Sequence, residues 1–326
     1  MRALLTGISG FAGGFLAEHL LNAGDALLGL IRDTTQRERL PRSAREVPLV
    51  AWDLEDSVAP PAKSLQTIRE FAPDCLYHLA ALSLPELCGA TAPTPQCLAA
   101  NVEATRRVIE LALALPRRPR VVFVSSSRVY SPVDGARAYV NEDYATNPLQ
   151  GYGQSKLMAE ALVRAAVLER GLDAVISRSF QHTGPRQDPR LMLPEWASQL
   201  ASGARDLHVR HLNAWIDCSD VRDVVRAYRL LAISGKSGEV YNVGSGLGRR
   251  SGDVVEELCR LAGRQPQIIE RAPGVKQDPI ADCERLVAAT GWRVEIPWEQ
   301  TLRDTLEDWR RRVSAAGAKP TSEQSA

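Results

Sequence analysis

The sequence predicts an α/β protein: a doubly wound parallel sheet with a smaller, discontinuous C-terminal lobe. Three observations lead there. Short apolar strand candidates alternate with helical segments through the first half, as in a parallel sheet covered on both faces. A glycine-rich turn, Thr6-Gly7-Ile8-Ser9-Gly10-Phe11-Ala12-Gly13-Gly14, joins the first strand to the first helix. Beyond Phe180 the alternation gives way to loops, helices and a returning strand.

Strands are expected at Ala3–Leu5, Ala26–Leu30, Val47–Ala51, Cys75–Leu79, Val121–Val124 and Ala174–Ser177. Helices are expected between them at Phe11–Leu21, Leu65–Phe71, Val102–Ala114 and Gln154–Arg170. The first helix repeats Phe15, Leu16, Leu20 and Leu21 and ends at Asn22-Ala23-Gly24-Asp25, where Gly24 is a natural cap. Strand, glycine turn and helix open a dinucleotide-binding unit of the Rossmann type. Gly7 permits the tight turn, Gly10 lets the backbone approach a pyrophosphate, and Gly13 lets helix and strand pack closely, with the phosphates on the helix N-terminus. The spacing is Gly-x-x-Gly-x-x-Gly rather than Gly-x-Gly-x-x-Gly.

Past Phe180, helices are expected at Leu191–Ala201, Asp220–Ala232, 251–263 and 298–312, with a strand at Glu239–Val243. This divides the chain into a Rossmann domain over residues 1–180, to which 217–245 returns, and a substrate lobe from 181–216 and 246–313. Residues 314–326 are small and polar without apolar periodicity, the composition of a disordered tail.

Tyr152 and Lys156 carry the chemistry. Seven tyrosines and five lysines in this chain give about 0.1 Tyr-x-x-x-Lys pairs by chance. A spacing of four puts the phenol and the ammonium one helical turn apart on one face. A free phenol, with a pKa of about 10, is a poor acid or base at neutral pH. A neighbouring cation is expected to favour phenolate and lower that value towards the working pH.

Together with the glycine turn, these residues resemble the extended short-chain dehydrogenase/reductases, the group of nucleotide-sugar epimerases, dehydratases and reductases. Other landmarks follow in the family's order: Asp53-Leu54, Tyr77-His78-Leu79-Ala80-Ala81 with Ser83 beyond it, Asn101 at a helix opening, and Ser125-Ser126-Ser127-Arg128-Val129-Tyr130 after a buried strand. The resemblance spans roughly residues 1–312. Stretches such as Phe180–Gln187, Asp217–Asp223 and Tyr241–Gly246 look most like GDP-4-keto-6-deoxy-D-mannose reductases.

What the resemblance implies is specific. The cofactor would contact Gly7, Gly10, Phe11, Gly13, Asp53, Leu54 and Ala80, as well as Tyr152 and Lys156. Counting back from Tyr130, the catalytic hydroxyl falls at Ser126, with Ser127 the second choice. Ser126 would orient a sugar carbonyl, Tyr152 would give or take the proton, and Lys156 would hold the nicotinamide ribose. Ser83, Arg128, Gln181, Arg186 and Arg271 are the matching substrate positions. Three departures qualify this. Arg128 stands where dehydratases, and often the reductases too, carry an acid, and a guanidinium cannot act as a base. Gln181 replaces a usual asparagine, and Ile216 replaces an arginine that grips the nucleotide diphosphate.

Cofactor preference is read at the end of the second strand, where an acid selects NAD and an arginine accommodates a 2′-phosphate. Ile31 and Arg32 point to NADP; Asp33 would restore NAD if the strand ended later.

Composition narrows the class further. A net charge of +1 offers no footprint for nucleic acid, and no apolar stretch approaches the ~20 residues of a membrane span. Six cysteines without a Cys-x-x-Cys pair read as free thiols in the cytoplasm, and the five histidines show no metal-ligand set. The expected function is NADP-dependent reduction of a 4-keto-6-deoxy nucleotide sugar. An epimerase or dehydratase of the same family is the alternative, and a non-catalytic NADP-binding protein is the reading from another class. Helices Val102–Ala114 and Gln154–Arg170 match a family dimer bundle, which implies a homodimer.

Overall fold

The computed structural model describes residues 1–56, 59–134 and 138–317. Along the chain it begins β1 (Arg2–Thr6), α1 (Phe11–Asn22), β2 (Ala26–Ile31), β3 (Leu49–Ala51), α2 (Ala62–Phe71) and β4 (Cys75–His78). The short helices α3 (Pro85–Cys88) and α4 (Pro95–Leu98) lead through a π-helical turn, Ala99–Glu103, into α5 (Ala104–Ala114) and β5 (Arg120–Ser126). Then come β6 (Tyr139–Val140), α6 (Gly151–Arg170), β7 (Ala174–Ser179) and β8 (Gln181–Thr183). The remainder comprises α7 (Met192–Ala201), β9 (Asp206–Val209), β10 (Asn213–Asp220), α8 (Val221–Ser234), β11 (Val240–Val243), β12 (Gly248–Arg250) and α9 (Ser251–Ala262). It closes with β13 (Gln267–Glu270), β14 (Val275–Gln277), β15 (Ile280–Ala281), α10 (Glu284–Thr290) and α11 (Trp298–Gly317).

Seven parallel strands form the main sheet in the order β11-β7-β5-β4-β1-β2-β3. Buried on both faces, its strands are near-continuous apolar runs, and Ala3, Leu4 and Leu5 are fully enclosed. One face packs Phe15, Leu16 and Leu20 of α1 against Val224, Tyr228 and Leu231 of α8. The other takes Ile68 of α2, Val108 and Ile109 of α5, and Ala159 and Val163 of α6. The order reverses between β1 and β4, and such a reversal opens a crevice at the carboxyl ends of the strands.

The second lobe has its own core, in which Leu193 and Trp196 of α7 meet Val254 and Leu258 of α9 and Leu302 and Leu306 of α11. Apart from the eight-residue β10 its strands are short: β10 lies between β12 and β14 and also pairs with β8, while β13 pairs with β9. Sequence reading missed the small strands because none has a periodic run long enough to register, and β10 because its buried run Ile216–Asp220 mixes polar with apolar residues and does not alternate. Two expected boundaries also move. Helix α6 begins at Gly151, so Tyr152 lies in its first turn rather than ahead of it. Helix α11 continues to Gly317, overriding the tail expected from Ser314: extending an existing helix needs no new nucleation. Residues 318–326 lie outside the described residues.

Candidate active site

A cleft of about 660 Å³ runs over the carboxyl ends of the sheet, from the glycine turn to the second lobe. Its lining contains Gly7, Gly10, Phe11, Gly13, Arg32, Asp53, Leu54, Ala80, Ser83, Ser126, Arg128, Tyr152, Lys156 and Gln181. The fold therefore gathers into one cavity most of the residues selected from sequence.

The glycine turn fits a dinucleotide. Gly7 has φ of +72°, and a Cβ there would meet Ala80 N at 2.7 Å. A Cβ on Gly13 would meet the Gly7 carbonyl at 2.0 Å, so only glycine lets α1 press this close to β1. Gly10 caps α1 without a side-chain hydrogen bond, and the first turn holds no acid. Its free N–H groups and the helix dipole favour an anion. Thr6 Oγ1 accepts from the Ala80 amide (3.1 Å) and meets His78 Nδ1 at 2.8 Å, which ties β1 to β4 beside the turn. His78 also reaches Thr105 Oγ1, and burial drops its pKa to about 3, so this histidine is a neutral core group.

At the end of the cleft beside β2, that strand stops at Ile31. Asp33 turns onto its own loop, accepting from Thr35 N and Oγ1 at 2.9 and 2.6 Å, and does not line the cleft. Arg32 does line it, held by Glu55 and, at 3.5 Å, by Asp53.

At the other end, the three serines after β5 separate. Ser125 borders the cleft, and its Oγ donates to the buried Glu160 (2.5 Å). Ser126 Oγ accepts from Arg128 N at 3.2 Å and is hydrogen-bonded to the Tyr152 phenol; Ser127 also borders the cleft. Asn101, recognised from sequence as structural, clamps Leu82 N and O at 2.8 and 3.0 Å and reaches Ser155 of α6 at 2.9 Å.

The electrostatics of the Tyr/Lys pair differ from the expectation. Burial pushes the Tyr152 phenol up to about 12, only partly offset by the bond to Ser126 and the charge of Arg128. Lys156 donates instead to the Val124 carbonyl (2.8 Å), with its ammonium 5.2 Å from the Phe123 ring centroid. Desolvation brings Lys156 down to about 8, with Glu160 pulling the other way. One helical turn of spacing places the two side chains on one face, but burial governs the phenol.

Glu160, one turn beyond Lys156, was missed. It lies 1% exposed and receives Arg178 Nε and a terminal nitrogen at 3.0 and 2.8 Å. The signal was available: Tyr152, Lys156 and Glu160 follow one another at four-residue intervals on α6. Asp217, also missed, accepts from Ser245 N, Ser245 Oγ, Gly246 N and Ala281 N at 2.6–3.0 Å and so fixes the turn after β11.

The substrate-side arginines scatter. Arg128 spans the cleft to Asp278, with two contacts of 3.1 and 3.2 Å. Arg186 adopts φ of +70°, clamps Glu18 at 2.6 and 2.9 Å, and covers the Phe15 ring. Arg271 lies 3.8 Å from Glu195. Neither Arg186 nor Arg271 lines the cleft, because carboxylates elsewhere in the fold hold them. Ile216 is buried.

With this geometry in view, the comparisons with known proteins are consistent with one another. Residues 3–244 match the NAD dependent epimerase/dehydratase family. GDP-6-deoxy-D-mannose reductase of Pseudomonas aeruginosa is 30% identical over 322 residues, covering 96% of this chain and 98% of that protein. A dTDP-glucose 4,6-dehydratase of Haemophilus influenzae is 25% identical, over 94% of this chain and 97% of its own length. Among solved structures, RMD from Pseudomonas aeruginosa complexed with NADPH aligns with a TM-score of 0.81 at 28% identity, covering 96% of this chain and all of that one. Thermus thermophilus UDP-glucose 4-epimerase with NAD gives 0.82 at 26%, covering 95% and 99%. The chain belongs to the NAD dependent epimerase/dehydratase family, a group of dinucleotide-dependent enzymes.

Proposed function

We propose that this chain is an NADP-dependent reductase of a 4-keto-6-deoxy nucleotide sugar, with Tyr152 as the proton donor. The observation that carries the reading is geometric: Tyr152, Lys156 and Ser126 line the same cleft as the glycine turn and Arg32. Reduction of a carbonyl needs an acid at the oxygen, which the Tyr152 phenol can supply; the same Tyr/Lys pair serves an epimerase, and the choice of reduction rests on the 30% identical reductase.

A bound nicotinamide would supply the hydride. The chain's own residues do the rest. The turn at Gly7, Gly10, Phe11 and Gly13 receives the pyrophosphate, Asp53, Leu54 and Ala80 border the adenosine and the strand end, and Arg32 meets the 2′-phosphate. Lys156 holds the nicotinamide ribose. Ser126 orients the keto oxygen, and Tyr152 protonates it as negative charge develops. Ser83, Arg128 and Gln181 border the sugar end of the cavity. The guanidinium at position 128 offers no base for dehydration across C5 and C6. The 30% identical GDP-6-deoxy-D-mannose reductase and the NADPH-bound RMD structure support the same choice of reaction and cofactor.

The test is stoichiometric NADPH consumption with a panel of 4-keto-6-deoxy sugars linked to GDP, UDP or dTDP. Tyr152→Phe should abolish consumption while leaving NADPH affinity within about twofold, since it removes a hydroxyl and little volume. Full turnover by that variant would end the assignment of the proton donor. Product epimerised without net loss of NADPH would replace the reductase with an epimerase, and cofactor binding without either reaction would make the chain a binder.

A further inference from the structure

The cleft, read as a nucleotide-sugar site, requires a cation for the diphosphate, and the expected ones are committed. Ile216 is apolar, Arg186 is held by Glu18, Arg271 lies against Glu195, and Arg128 is paired with Asp278. Arg249 on β12 is different. It makes no ion pair among the described residues, while its neighbour Arg250 is bonded to Asp253 at 2.5 Å. Its Nε is buried without a hydrogen-bond partner.

The sheet register says where it stands. β10 and β12 run antiparallel with Ile216 directly opposite Arg249. Opposed residues of such a pair project from the same face, so Arg249 shares the face of Ile216 and of Cys218, two residues further on. Cys218 lines the cleft, and Arg249 stands on the same face just behind that lining, which does not itself include Arg249. The guanidinium lies over the Trp298 ring, 4.6 Å from its centroid, which orients the planar fork before any ligand arrives. Burial lowers its pKa, with Cys218, Asp217 and Glu257 opposing, yet an arginine remains a cation at neutral pH. A desolvated guanidinium with an unanswered N–H fits a diphosphate oxygen, which supplies both charge and acceptor.

We propose that Arg249 binds the diphosphate of the nucleotide-sugar substrate, the cation having moved one strand across from position 216. This rests on the reading of the cleft as a nucleotide-sugar site.

The experiment measures GDP, UDP and dTDP affinities by titration calorimetry for the unmodified protein, Arg249→Gln, Arg249→Lys and Ile216→Arg/Arg249→Gln, with NADPH affinity as the control. Arg249→Gln should weaken the bound nucleoside diphosphate about tenfold or more while NADPH affinity stays unchanged. Arg249→Lys should lose less, and the double variant should recover part of the loss by restoring a cation on the same face. Unchanged affinity in Arg249→Gln, or equal losses in the Gln and Lys variants, would overturn the assignment of Arg249 alone. An unmodified protein that binds NADPH but none of the three nucleoside diphosphates would overturn the nucleotide-sugar reading, and this proposal with it.

Discussion

Lys156 is stored in the folded protein at a cost, and Lys156→Met should reveal it. The side chain is 3% exposed, and burial draws its pKa from 10.5 to about 8. At 1.36 kcal/mol per pH unit, that difference is a penalty of about 3 kcal/mol on the folded state. Below pH 8 folded and unfolded chains both carry the proton, so the penalty is fully present. Between pH 8 and 10.5 the unfolded chain still binds a proton that the folded one has released, so stability rises with pH and the penalty fades. Methionine removes this titration and also forfeits the bond to the Val124 carbonyl, a loss of about 1–3 kcal/mol. The variant should therefore match or slightly exceed its parent in stability at pH 7 and fall about 2 kcal/mol below it near pH 10.5. Urea unfolding of both proteins at pH 7, 8, 9 and 10 measures the difference, which cancels groups common to the two. A difference flat across that range would mean that Lys156 titrates like a solvated lysine, and the burial argument would fail.

Three further outcomes are expected. Glu160→Ala leaves Arg178 as an uncompensated buried charge, so urea unfolding should report a loss of about 3–5 kcal/mol; a change below about 1 kcal/mol would contradict the buried pair. Unmodified protein should bind NADPH more tightly than NADH, Arg32→Ala should narrow that gap, and Glu55→Gln should widen it by releasing Arg32; equal affinities for the two cofactors in the parent would count against the 2′-phosphate site. Light scattering at micromolar concentration should report a dimer of the 35.7 kDa chain, and Met158→Glu, on the exposed face of α6 with Leu168, should return it to monomer. A parent already at monomer mass would refute that assembly.

The sequence by itself determined whatever is local or periodic. The Gly7–Gly13 turn needs only neighbouring residues to define it, and the six expected strands of the first half and the returning Glu239–Val243 all appear in the main sheet with shifts of a few residues at their ends. Spacing alone put Tyr152 and Lys156 on one face of α6, and the strand end at Ile31 left Arg32 rather than Asp33 in the cleft. Tertiary structure decided what depends on distant partners. Arg128 meets Asp278 across 150 residues and Arg186 meets Glu18 across 168, and no sequence window contains either pair. The pairing of β10 with β12, which brings Arg249 opposite Ile216, likewise joins strands separated by α8 and β11. Desolvation moves the Tyr152 phenol up rather than down, and spacing along one helix carries no record of the environment that does so.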